Sequence, residues 1–197
     1  LFNGNHESNL DDFDKYLGLQ KYYFKNKKND IGGYCILTNK NVILGMDVGP
    51  PPEKKFSENY QSGPLSFEAL FKGKKLICNS GYFQDSNKKL NLISRSTAAH
   101  STLVLNNKSV ANFKRDFKGK TFNEFNFKTL NKNVVLEKNY WLIKSSHDGY
   151  SRNYGTIHER ILEFFPEKNK FVGTDKLIKN KNFIPTSFEI RFHLMPS

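Results

Sequence analysis

After residue 18 the apolar positions fall into short runs, several of them alternating with polar residues. "YCILT" and "NVILGMD" flank Asn39-Lys40, and "LSFEALF" and "KLICN" meet around Gly73, so each pair predicts an antiparallel hairpin. Further runs are "STLVL", "YWLIKSS", "TIHERILEFF", "FVGTDKLI" and "SFEIRFHL", separated by Lys-, Asn- and Gly-rich turns. In the last of these, Phe188, Ile190, Phe192 and Leu194 share one face, expected to be core, and Glu189, Arg191 and His193 share the other. Many short strands at this spacing predict an all-β protein, an antiparallel β-sandwich. Before them, Ser8 as N-cap, Asp11 and Asp12 in the first turn, and Leu10, Phe13 and Leu17 at helical spacing predict one short helix that stops at Gly18. "DVGPPPEKKFSENYQSG" reads as a long loop, because Pro50 to Pro52 bring no ladder donors.

Composition adds limits. A chain of 197 residues with 37% apolar content makes one sizeable domain, and no apolar run approaches the roughly 18 residues of a membrane span. Its start and its abrupt end after the last strand read as cuts in a longer precursor. Cys35 and Cys78 lie far apart without metal-type spacing and are expected as buried thiols. The net charge of +12 suits an acidic partner, yet only 5 of the 31 cations are Arg, while Lys and Asn together make 49 residues. Arg is the residue favoured for planar phosphate recognition, and no zinc-finger spacing or aromatic RNA-binding signature appears, so nucleic acid is not the expected partner.

Two clusters carry candidate chemistry. In "RSTAAHST", Arg95 and His100 flank small residues; an imidazole there is either a group for anion binding, acid–base work or metal ligation, or a structural histidine at a strand entry. In "SSHDGYSRNYGTIHER", the Asp148-Gly149 turn places His147 and Tyr150 to face the same space, with Arg152 or His147 as the cation that would lower the tyrosine's pKa. The competing account is local pairing of His147 with Asp148 and packing of the tyrosines. Neither cluster has a Ser-His-Asp order, a phosphate-binding glycine loop or an HExxH spacing.

Taken in order, "DVGPPP", "GPLSFEALFKGKKLICNSG", "RSTAAHSTLVLNNKS", "SSHDGYSRNYGTIHERILEF" and "FEIRFHL" resemble the C-terminal domain of the heparinase II/III-like polysaccharide lyases, most of all the alphaproteobacterial group. The resemblance implies a β-sandwich over residues 26–197, preceded in residues 1–25 by the helical tail of an α/α toroid. It also implies β-elimination on an acidic, uronate-containing polysaccharide, with the main Tyr, His and Asn catalytic groups in the toroid. The family's sandwich adds a His-x-His element, an aspartate and a further histidine, one of them catalytic and three on a structural zinc. By position these fall on Asn59, Gln61, Asn79 and His100. Amides are poor zinc ligands, so no metal and no other cofactor is expected. Asn59, Gln61, Arg95, His100 and Arg152 become the expected substrate-binding residues, and His147 and Tyr150, which match the subgroup's "HDGY", the expected catalytic ones. The implied partners are the polysaccharide and the chain's own toroid, in the cell envelope or periplasm. A non-catalytic carbohydrate-binding or structural module is the alternative.

Overall fold

The computed structural model describes residues 30–81, 83, 88–184 and 187–195, together with Lys15, Gly18 and Leu19. The described residues form strands β1 (Asp30–Ile31), β2 (Tyr34–Thr38), β3 (Val42–Asp47), β4 (Phe67–Phe71), β5 (Lys74–Cys78), β6 (Leu103–Leu105), β7 (Phe113–Arg115), β8 (Thr121–Asn123), β9 (Thr129–Leu136), β10 (Trp141–His147), β11 (Thr156–Phe165), β12 (Lys170–Lys179), β13 (Phe188–Ile190) and β14 (His193–Leu194). They pair antiparallel as a six-stranded sheet β1-β2-β3-β4-β5-β14, a four-stranded sheet β12-β11-β10-β9, and the two-stranded ribbons β13-β6 and β7-β8.

Both expected hairpins form where their turn chemistry allows. The Asn39 side chain accepts the amides of Asn41 and Val42 at 2.8 Å, closing β2 onto β3 with Leu37 opposite Leu44. Lys72 and Gly73 both take positive φ, 48° and 77°, the backbone that a tight two-residue hairpin turn requires. Period two then sends Cys35, Leu37, Val42, Leu44, Met46 and Phe67 inward from one sheet, against Trp141, Ile143, Leu162 and Phe164 from the other. These face-to-face apolar layers make the sandwich core. A smaller cluster of Leu103, Leu105, Val110, Phe127 and Tyr150 closes one end.

Several elements differ from the sequence reading. The segment "SFEIRFHL" is not one strand with a buried apolar face: β13 pairs with β6 and β14 with β5, and between them the Arg191 amide bonds the Thr102 carbonyl. Because the two halves serve different sheets, the alternation no longer maps to one side, and Phe188 and Leu194 are 56% and 70% exposed. Strand β9 was not apparent because Asn131, Lys132 and Asn133 interrupt its apolar residues; its outer positions are exposed, as an edge strand permits. The short helix Lys88–Ser94 was likewise unforeseen. Of the expected N-terminal helix, Ser8, Leu10, Asp11, Asp12, Phe13 and Leu17 lie outside the described residues, while Gly18, its expected stop, is itself helical. Cys35 and Cys78 are both buried and free, as read from their spacing.

Candidate functional site

The long loop is tied down by Arg95, which follows the helix Lys88–Ser94. Arg95 is 1% exposed; its Nε donates to the Tyr60 carbonyl at 2.8 Å, and a second guanidinium nitrogen donates to Ser57 O at 3.1 Å. The guanidinium also lies 4.3 Å over the Phe113 ring. Beside it, Ser62 Oγ and Thr97 Oγ1 are 2.9 Å apart, and Thr97 Oγ1 is 3.1 Å from Ser109 Oγ, so small hydroxyl residues satisfy the buried backbone where the loop meets the "STAAHST" segment. His100 Nδ1 donates to the Ser96 carbonyl at 2.8 Å. Its ring packs on bare backbone at Gly63, where a Cβ would stand 2.6 Å from the imidazole Cδ2. Asn79 Oδ1 accepts the Ser101 amide at 2.9 Å. Gln61 is buried, and its Nε2 has no partner among the described residues.

A second polar assembly lies on the inner face of the four-stranded sheet. Register sets it: Trp141 faces Phe164 and Ile143 faces Leu162, but the next pairs along the same face are Ser145 with Arg160 and His147 with His158. From the other side, β12 brings Asp175 opposite Arg160. Arg160 Nε donates to Asp175 Oδ1 at 2.8 Å and a terminal nitrogen to Oδ2 at 2.9 Å, a bidentate pair. Its other terminal nitrogen donates to Leu65 O at 3.0 Å and Ser101 O at 2.7 Å, both carbonyls beside the His100 neighbourhood. His158 Nε2 donates to Asp175 Oδ1 at 2.6 Å.

The structure thus gathers Gln61, Arg95 and His100 at one junction, with Asn59 exposed on the same loop, and places His147 with Tyr150 at another. The rings of His147 and Tyr150 do face each other, centroids 5.6 Å apart, but both side chains are interior, at 1% and 2% exposure. The Tyr150 hydroxyl donates to the Leu103 carbonyl at 3.1 Å, and burial pushes its pKa well up. Burial, with His158 and Arg160 adding to it, holds His147 well below the ordinary histidine range. Burial likewise lowers His100 to about 4. Arg152 is exposed and stacks 4.5 Å over Phe125 instead of joining Tyr150. Sequence reasoning did not single out Asp175, which sits 15 residues beyond Arg160 and is brought to it only by strand pairing.

The donors do not fit a tetrahedral zinc centre. Gln61 and Asn79 offer neutral amides, Asn79 spends its oxygen on Ser101 N–H, and no group of three or more His, Cys, Asp or Glu suited to a metal occurs among the described residues.

Comparison with known proteins agrees with this architecture. A family model described as "Heparinase II/III-like, C-terminal" matches residues 26–197. No curated protein sequence matches significantly. Among solved structures, the fold is similar to the heparan sulfate lyase HepC from Pedobacter heparinus, at 19% identity with a TM-score of 0.60, covering 86% of this chain and 27% of that one. It is also similar to a structure called Heparinase III, at 20% identity and a TM-score of 0.61, covering 87% of this chain and 24% of that one. A heparinase III, the BT4657 gene product, gives 19% identity and a TM-score of 0.64 over 93% of this chain and 27% of that one. The chain therefore spans about a quarter of the length of the solved structures it matches. On the family match and the shared sandwich, the chain belongs to the heparinase II/III-like C-terminal family.

Proposed function

We propose that this domain is the C-terminal sandwich of a polysaccharide lyase that cleaves acidic, uronate-containing polysaccharide by β-elimination in the cell envelope or periplasm, joined to a toroid whose helical tail is residues 1–25. The observation that carries the reading is the family match over residues 26–197. In such a reaction the uronate carboxylate is neutralised, a base takes the C5 proton and an acid protonates the departing O4 oxygen. The domain's part is to bind and shape: exposed Asn59 contacts sugar, Arg95 fixes the loop that carries it, and His100 and Gln61 line its base. Exposed Arg152 supplies positive charge for the polyanion. His147 and Tyr150 serve as interior supports in this reading, not as proton carriers.

The test is to incubate the full-length protein with sulfated and unsulfated uronate polysaccharides and follow the absorbance of the unsaturated product. Product formation supports the lyase. Binding without product supports the second reading, a non-catalytic carbohydrate-binding module, which the amides at Asn59 and Gln61 and the low pKa of His100 favour.

A further inference from the structure

Outside the junction described above, the end of β3 borders an open cleft of about 330 Å³. That volume is within the range of small-ligand pockets, roughly 300–1,000 Å³. Its walls include Gly33, Tyr34, Asp47, Gly49, Pro51 and Tyr60. Gly33 and Gly49 pass so closely that a Cβ on Gly49 would meet Gly33 Cα at 2.8 Å, so the strand crossing beneath the cleft is bare backbone. Asp47 is only partly covered, and its Oδ1 accepts the Gly49 amide at 3.1 Å.

The surroundings of this carboxylate are unusual for a chain with 31 Lys and Arg against 19 Asp and Glu. No ion pair reaches Asp47 among the described residues, and Gly49 supplies its one hydrogen bond there. Pro50 to Pro52 have no backbone donor, and the glycines have no side chain, so the walls leave most of its acceptor capacity open. Burial raises its pKa to about 7, as expected of a carboxyl that its own protein leaves without a counter-charge. Of the two aromatic walls Tyr34 is partly exposed while Tyr60 is buried, at 8% exposure, and the Tyr60 carbonyl is pinned by Arg95, which makes that wall rigid. A pyranose ring offers the matching chemistry, since adjacent hydroxyls can donate to one carboxylate while its C–H face lies against an aromatic ring.

We infer that this cleft is a sugar-binding subsite, in which Asp47 accepts hydroxyl hydrogen bonds from one pyranose unit resting against Tyr34. The inference rests on the proposed polysaccharide substrate and extends it to a place one residue from Asn59 along the loop.

The experiment titrates the full-length protein with an unsulfated uronate tetrasaccharide, by calorimetry and by NMR of the tyrosine rings. Asp47→Asn retains an acceptor for the Gly49 amide and therefore the fold, which a melting curve verifies. Affinity is expected to fall roughly tenfold in Asp47→Ala and by less in Asp47→Asn, the scale of a charge-assisted hydrogen bond, and the Tyr34 ring resonances shift in the wild type. Wild-type binding with unmoved Tyr34 resonances and undiminished affinity in both variants overturns the subsite and leaves the proposed substrate standing. Absence of any wild-type binding overturns the substrate reading and the subsite with it.

Discussion

His147 and His158 stand edge to face across the β10–β11 pair, ring centroids 5.2 Å apart at 88°, with His147 Nε2 3.2 Å from His158 Nδ1. Their neighbours fix both tautomers. The Gly149 amide donates to His147 Nδ1 at 3.1 Å, so the proton of His147 sits on Nε2 and goes to His158 Nδ1. His158 then carries its own proton on Nε2 and donates to Asp175. One directed chain runs from the Asp148-Gly149 turn to the carboxylate that Arg160 clamps. It is satisfied only with both imidazoles neutral.

Asp175 anchors that chain and neutralises Arg160. Burial opposes its charge, but the hydrogen bonds from His158 and Arg160 outweigh this and hold its pKa at about 2. Asp175→Asn leaves a buried guanidinium without its counter-ion, which costs about 3–5 kcal/mol. Urea unfolding of the variant measures this; a loss under about 1 kcal/mol contradicts the assigned role.

Protonation should dismantle the same chain. Burial lowers the folded-state pKa of His147 and of His158, and brings His100 to about 4, below the 6.5 of the free imidazole. The folded state therefore binds fewer protons than the unfolded one, and stability present above 6.5 is lost as pH falls, by up to about 1.4 kcal/mol per histidine per pH unit. Melting temperatures taken from pH 7.5 down to 5 should decline steadily. A flat profile refutes this.

Asp47 acts with the opposite sign. Its folded pKa of about 7 lies above the ordinary aspartate value of 3.8, so its contribution is full below 3.8 and is lost as pH rises through 7. Asp47→Asn should stabilise the domain at pH 8 by on the order of 1–4 kcal/mol and change little at pH 3.5. Equal differences at both pH values exclude the effect.

Gly63 sets the position of His100. Gly63→Ala brings a methyl 2.6 Å from the imidazole Cδ2 and 2.9 Å from Ser66 Oγ, so the ring must leave its place against the loop. Overpacking of this kind costs about 1–3 kcal/mol. The loss should shrink in the double variant Gly63→Ala, His100→Ala, and a double-mutant cycle measures that coupling. Simple additivity rejects the contact.

The hairpins and the inward set Cys35, Leu37, Val42, Leu44 and Met46 were legible because alternation and turn chemistry are local. "TIHERILEFF" was legible as a strand for the same reason. Its chemistry was not, since His158 and Arg160 fall on the same inward face as Leu162 and Phe164, and nothing local tells a solvated charge from a buried one. The final segment misled because period two marks faces of a strand but does not say which sheet each half joins.

The sequence by itself determined the all-β class, its principal strands and turns, and the family to which the ordered motifs belong. Tertiary structure decided what the polar residues do. Pairing β11 between β10 and β12 joins His147, His158, Arg160 and Asp175, scattered over 29 positions of chain, into one buried network, and loop closure leaves Asp47 bordering a cleft with no cation among its described lining residues. Strand register and loop packing are long-range relations, and a side chain's protonation and reach follow from the neighbours they supply.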